Sequence, residues 1–117
     1  MENLRAEEQL NILLQSSKIL LVQFGAVTCT PCAAIHQKLE EWLPAHPMVS
    51  GIYVSIEKFR ELTAQLGIFT VPTIFVYVEG RLAVRSSGYF SLEDILDQID
   101  RYEEFLHPVV REEELSL

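Results

Sequence analysis

Long apolar runs are missing from this 117-residue chain, whose longest aliphatic stretch is Ile19-Leu20-Leu21-Val22. That is far below the roughly 18 residues that mark a membrane-spanning helix, so a membrane is not an expected partner. Clusters of Lys or Arg are missing too. With 9 basic residues against 17 acidic ones the formal net charge is −8, and nucleic acid is not an expected partner, because phosphate contacts need a basic footprint. The opening residues MENLRAEEQ carry acids where a secretory signal has a basic region and then an apolar stretch, so the expected location is cytoplasmic. No Gly-rich phosphate loop, Ser-His-Asp order or sheltered carboxylate pair is visible, which leaves kinase, dehydrogenase and hydrolase readings without support. Cysteine is scarce: two residues are too few for a disulfide scaffold, and structural disulfides are rare in a reducing compartment.

Apolar side chains are plentiful by contrast. Leu, Ile, Val and Phe make up about a third of the chain, well above the level at which chains fail to bury a core. The length suits one domain, expected over residues 1–107, followed by an acidic C-terminal tail at 108–117. The negative charge is concentrated late, with nine acids and two arginines in residues 93–117, which reads as a solvated helix face and a solubilising tail.

Periodicity places the elements. Residues 3–15 show an amphipathic helix pattern through Leu4, Leu10, Leu13 and Leu14, whereas residues 18–24 (KILLVQF) form an apolar run of strand length. From Pro31 onward Ile35, Leu39, Trp42 and Leu43 recur at helical spacing, with Lys38, Glu40 and Glu41 opposite, until Pro44 and Pro47. Residues 51–56 read as a strand, 58–66 as a short helix closed by Gly67, and 73–78 and 82–87 as a hairpin across Glu79-Gly80-Arg81. Ser91 caps a last helix whose apolar face is Leu92, Ile95, Leu96, Ile99 and Tyr102. The fold class is therefore α/β: a mixed four-stranded sheet, parallel in its β-α-β half and antiparallel in its β-β-α half, flanked by helices.

The chemistry sits at Cys29-Thr30-Pro31-Cys32. Cys29 follows the first long strand and precedes the helix that Pro31 opens. Free backbone N–H groups and the positive end of the helix dipole favour a thiolate there, which makes Cys29 the expected nucleophile. Cys32 lies one turn on, close enough to close a disulfide and more buried, as reversible two-electron exchange requires. A second feature is Val71-Pro72-Thr73. A trans proline that starts a strand and a cis proline that frees the Val71 backbone for an extended substrate are both open at this point.

These motifs, in the order LLVQFGAVTCTPC, GIYVSIEKF, LGIFTVPTIFVYVEGR and Gly88 before a final helix, resemble the thioredoxin family over about residues 18–103. The resemblance implies a thioredoxin fold, Cys29 as the attacking and Cys32 as the resolving cysteine, and Pro72 as a cis proline. It also implies a substrate groove that includes Thr30, Pro31, Val71, Gly88 and Tyr89. The chain departs from the family pattern at modulating positions. Thr28 and Thr30 flank and interrupt the motif where Trp and Gly are usual. Gln23, which cannot titrate, stands where an aspartate is common, and Gly25 replaces an aromatic residue. On that reading the groove loses bulk twice.

Cys29, Cys32 and His36 also make a C-x2-C-x3-H set, but a structural zinc site wants four ligands and only His46 and His107 remain. His36 reads as solvent-facing, no metal is expected, and Ala33 after Cys32 excludes haem attachment. The expected activity is a monomeric thiol–disulfide oxidoreductase of protein-disulfide reductase type. It needs no cofactor beyond the Cys29–Cys32 pair, acts on disulfides in proteins or low-molecular-weight partners, and is recharged by a reductase or small thiol. The alternatives are an adaptor with weak redox turnover, or a disulfide oxidase or isomerase.

Overall fold

The computed structural model describes residues 1–106; the expected acidic tail at 108–117 and His107 lie outside the described residues. In chain order the elements are β1 (Glu2–Asn3), α1 (Glu7–Ser16), β2 (Ile19–Gly25), α2 (Thr30–Trp42), a 3-10 turn at Leu43–Ala45, β3 (Val49–Ser55), α3 (Arg60–Gln65), β4 (Thr73–Val78), β5 (Arg81–Ser87) and α4 (Leu92–Leu106). The strands form one sheet in the order β1-β3-β2-β4-β5. β2 is buried at every residue because it is central and both faces are covered. Parallel pairing with β3 sets Gln23 beside Tyr53 and Gly25 beside Ser55. Antiparallel pairing with β4 sets Gln23 beside Ile74.

The sheet has five strands, not the four expected. β1 runs parallel to β3 at Glu2 and Asn3, and the Leu4 N–H donates to the Tyr53 carbonyl at 2.7 Å. A two-residue polar strand carries no alternation to detect, and buried Leu4 falls in phase with the leucines of the following helix although that helix starts only at Glu7.

Side chains alternate across β2 and β4 with period two. Leu20, Val22, Phe24 and Phe75 pack with Leu10 of α1 and Leu62 of α3. Ile19, Leu21, Ile74 and Val76 pack on the other face with Leu39 of α2 and Ile95 and Ile99 of α4. Each such side chain, fully buried, contributes about 1.5–3 kcal/mol. The β4–β5 hairpin turns at Glu79 (φ 52°) and Gly80 (φ 83°), both left-handed as a two-residue hairpin loop demands. As expected, Ser91 caps α4: its Oγ accepts from the Asp94 N–H at 3.2 Å. Arg85 of β5 donates to the carbonyls of Leu66 and Gly67 at 3.0 and 2.8 Å, which ties the hairpin to the end of α3.

Candidate functional site

β2 ends at Gly25, and the turn after it closes when the Cys29 N–H donates to the Ala26 carbonyl at 3.1 Å. Cys29 is the N-cap of α2, with extended backbone, and Pro31 lies in the first turn, where its missing N–H had no partner to lose. The Cys32 N–H donates to Cys29 Sγ at 3.2 Å. That N–H and the positive end of the helix both point at Cys29 Sγ, an arrangement that favours negative charge at a helix start. The two cysteines are joined by a disulfide with Cα atoms 5.3 Å apart. Cys29 is partly exposed and Cys32 only 3% exposed.

The Val71–Pro72 bond is cis, the isomer that the family resemblance implied. The Pro72 carbonyl accepts from the Gly88 N–H at 2.8 Å. Inside the loop the Thr73 hydroxyl donates to the Thr70 carbonyl at 2.6 Å and accepts from Ser87 Oγ at 2.8 Å. The N–H and C=O of Val71 make no hydrogen bond within the described residues, so they remain open to an extended chain. Pro31 meets Val71, Pro72, Gly88 and Tyr89 around a groove of about 580 Å³. Thr28 and Thr30 are exposed beside the cysteines and are not among the residues that line it.

Gln23 lies beneath the pair, fully buried. Its Nε2 donates to the Cys32 carbonyl at 2.9 Å, while its Oε1 is buried without a hydrogen-bond partner. The bulk expected to be lost at Gly25 is restored from β3. A Cβ on Gly25 would stand 2.5 Å from Tyr53 Oη and 2.9 Å from its Cε1, so the Tyr53 ring fills that space. Burial, reinforced by the charge of Glu57, raises the Tyr53 phenol above its ordinary 10.0, and the group is a neutral hydroxyl at neutral pH. His36 is not simply solvent-facing: its ring packs edge-on against Tyr53 with centroids 5.5 Å apart.

His46 stacks on Trp42 at 3.6 Å and pairs with Glu103 at 2.8 Å, pinning the end of α2 to α4. α2 has 13 residues, about 20 Å of helix, between the cysteine end and His46. The fold therefore holds His46 away from the cysteine pair and does not assemble the C-x2-C-x3-H ligands with it.

A family profile described as Thioredoxin matches residues 1–101. This chain belongs to the thioredoxin family. A thioredoxin from Alicyclobacillus acidocaldarius subsp. acidocaldarius is 32% identical over 87 residues, which cover 74% of this chain and 83% of the relative. Thioredoxin-2 of Pyricularia oryzae (strain 70-15 / ATCC MYA-4617 / FGSC 8958) is 30% identical over 78 residues, 67% of this chain and 46% of that longer protein. Among solved structures, Fasciola hepatica thioredoxin superposes with a TM-score of 0.77 at 25% identity, covering 86% of this chain and 98% of that one. Plasmodium falciparum thioredoxin gives 0.78 at 22% identity, over 87% and 99%. The mixed sheet between two helical layers is thus the thioredoxin fold, and with the Cys29–Cys32 pair in place this thioredoxin-family chain is a thiol–disulfide oxidoreductase.

Three residues at this thioredoxin site escaped sequence reasoning. Tyr53 was legible only as a strand aromatic, although its register beside Gln23 brings it here. Thr73 stands in the sequence only as the residue after Pro72, and its role as the brace of the loop depends on the distant Ser87. Lys38 falls by helical spacing on the side away from the core, yet it lines the groove.

Proposed function

We propose that this thioredoxin-family chain is a protein-disulfide reductase in which Cys29 attacks and Cys32 resolves. The asymmetry of the bonded pair carries the reading, with Cys29 partly exposed at a helix start and Cys32 buried one turn on. In the reduced protein the Cys29 thiolate attacks one sulfur of a substrate disulfide. The substrate S–S bond breaks, its other sulfur leaves as a thiolate and takes a proton, and a Cys29–substrate mixed disulfide forms. Cys32 then loses its proton and attacks Cys29 Sγ. The second substrate sulfur leaves, and the Cys29–Cys32 disulfide now holds the oxidising equivalents of the one reduced. A two-electron donor, a reductase or a low-molecular-weight thiol, restores the dithiol.

The groove of Pro31, Val71, Pro72, Gly88 and Tyr89 holds the substrate, and the open backbone groups of Val71 pair with an extended segment of it. Thr30, exposed beside Pro31 at the start of α2, is outside the groove lining and meets the substrate only at the attacked disulfide. Low-molecular-weight disulfides use the same cysteines. Two cysteines in 117 residues suit a reducing compartment, and we assign the protein to the cytoplasm as a monomer. No helix of the described residues is long and apolar enough to cross a membrane. A second reading, a binding protein with weak turnover, is favoured by one observation: Gln23, whose Nε2 donates to the Cys32 backbone carbonyl, has no titratable group to take the Cys32 thiol proton.

The test is dithiothreitol-driven reduction of a model protein disulfide together with the reduction potential of the pair. Turnover above background that is lost in Cys29→Ser, with a potential near the cytosolic thiol poise, supports the reductase. A far more oxidising potential would make the protein an oxidase, and background turnover would leave the binding reading.

A further inference from the structure

Among the described residues, Lys38 is the one charged residue that lines the groove beside the cysteines. Its neighbours there are apolar or neutral, Ile35, Tyr89, Phe90 and Leu92 among them. Its side chain is exposed and forms no ion pair within the described residues. The acids at the start of α4, Glu93 and Asp94, are not part of the lining. On a chain of net charge −8, an ammonium without an ion-pair partner among the described residues, in the lining of an apolar groove, is a local reversal of sign.

We propose that Lys38 selects disulfide-bearing polypeptide segments that carry a carboxylate two to four residues from the attacked cysteine. The occupant is an extended segment because the unpaired N–H and C=O of Val71 offer it a strand partner, as they could not to a compact small molecule. The spacing follows from the helix. Lys38 is nine residues beyond Cys29, the N-cap of α2, about 13.5 Å at 1.5 Å per residue, a span its long side chain shortens. An extended chain advances about 3.3 Å per residue, so a segment whose cysteine sits at Cys29 brings its second to fourth neighbour within reach of the ammonium. Apolar residues between them meet Tyr89, which is fully exposed. The preference rests on the reductase reading of the same groove.

The test uses nine-residue peptides whose central cysteine carries a 2-pyridyl disulfide, a leaving group without a carboxylate. Attack by the Cys29 thiolate releases 2-thiopyridone, read by absorbance as a second-order rate constant at low salt. Glu at two to four residues from the cysteine, on either side, should react about three- to tenfold faster than Lys at the same place, the difference an exposed ion pair makes when its partner reverses sign. The preference should vanish in Lys38→Ala, invert in Lys38→Glu and shrink with added salt. Attack at an undiminished rate with equal Glu and Lys peptides, or the same preference retained in Lys38→Glu, overturns the proposal and leaves the exchange chemistry standing. No thiopyridone release above the Cys29→Ser background from any peptide overturns the exchange reading itself, and the preference with it.

Discussion

Tyr53 of β3 stands over Gly25 of β2, its hydroxyl 2.5 Å from where a Gly25 side chain would begin. The two are not paired in the ladder, where Gly25 faces Ser55, so the ring leans along the strands toward the cysteine end of the sheet. An aromatic surface beside the motif is thus supplied by the neighbouring strand.

Gly25→Ala therefore has to displace the Tyr53 ring or strain β2, and should cost about 1–3 kcal/mol as overpacking does. Tyr53→Ala removes the obstacle, so the double variant should be more stable than the two single losses added together. Urea unfolding of the four proteins measures this, and simple additivity would mean that the two residues do not meet.

The exposure difference between the cysteines predicts different products from their serine variants. Cys32→Ser should accumulate a stable mixed disulfide when mixed with a protein disulfide, while Cys29→Ser should not. Intact-mass spectrometry reads the adduct. Equal adducts on both variants would show that Cys32 is as accessible as Cys29.

Gln23→Asp should speed resolution at neutral pH and add a pH dependence, because a carboxylate can take the Cys32 proton that an amide cannot. It should also destabilise the fold. The Nε2 donor to the Cys32 carbonyl is lost and an acceptor is buried in its place, a change worth about 1–3 kcal/mol. Unchanged turnover and an unchanged pH profile would mean that attack by Cys29 limits the cycle or that Cys32 finds its base elsewhere.

Thr73→Val keeps the shape of a buried side chain but removes the hydroxyl that bridges Thr70 and Ser87. The loss should be about 1–3 kcal/mol, and the loop that presents Val71 should loosen. A rise in KM for a protein disulfide at nearly constant kcat is the expected kinetic result. A fall in kcat alone would place the effect at the cysteines instead.

Alkaline titration offers a check on packing. The Tyr53 phenol is raised above 10.0 by burial and then by Glu57, and that of Tyr77 is raised by burial against the opposing pull of Arg85. A folded value above the unfolded one means that the folded state holds the proton more tightly. The stability linked to it is complete below about 10 and is lost as pH rises through the folded value. Phenolate absorbance should therefore develop late, and Tyr53→Phe and Tyr77→Phe should each remove part of the late rise.

The main elements were legible because their patterns are strong. The run at 18–24 became the central strand, 73–78 matched β4 residue for residue, and Ser91 caps α4. Boundaries were less legible where local signals compete: the third helix begins at Arg60, two residues after the expected start, and β1 left no pattern at all. Cys29, Cys32 and Pro31 could be placed by their position at a strand-to-helix junction, which depends only on nearby residues.

The sequence by itself determined the exchange chemistry, since two cysteines one helical turn apart behind a buried strand need no distant partner to form a redox pair. The tertiary structure decided what surrounds that pair. The register of β3 against β2 brings Tyr53 over Gly25, packing of α2 on the sheet sets Gln23 against the Cys32 carbonyl, and the meeting of α2 with the Val71 and Gly88 loops places Lys38 in the groove. These contacts join residues 9 to 50 positions apart, and helical or strand periodicity says which face a side chain takes but not which neighbour that face will meet.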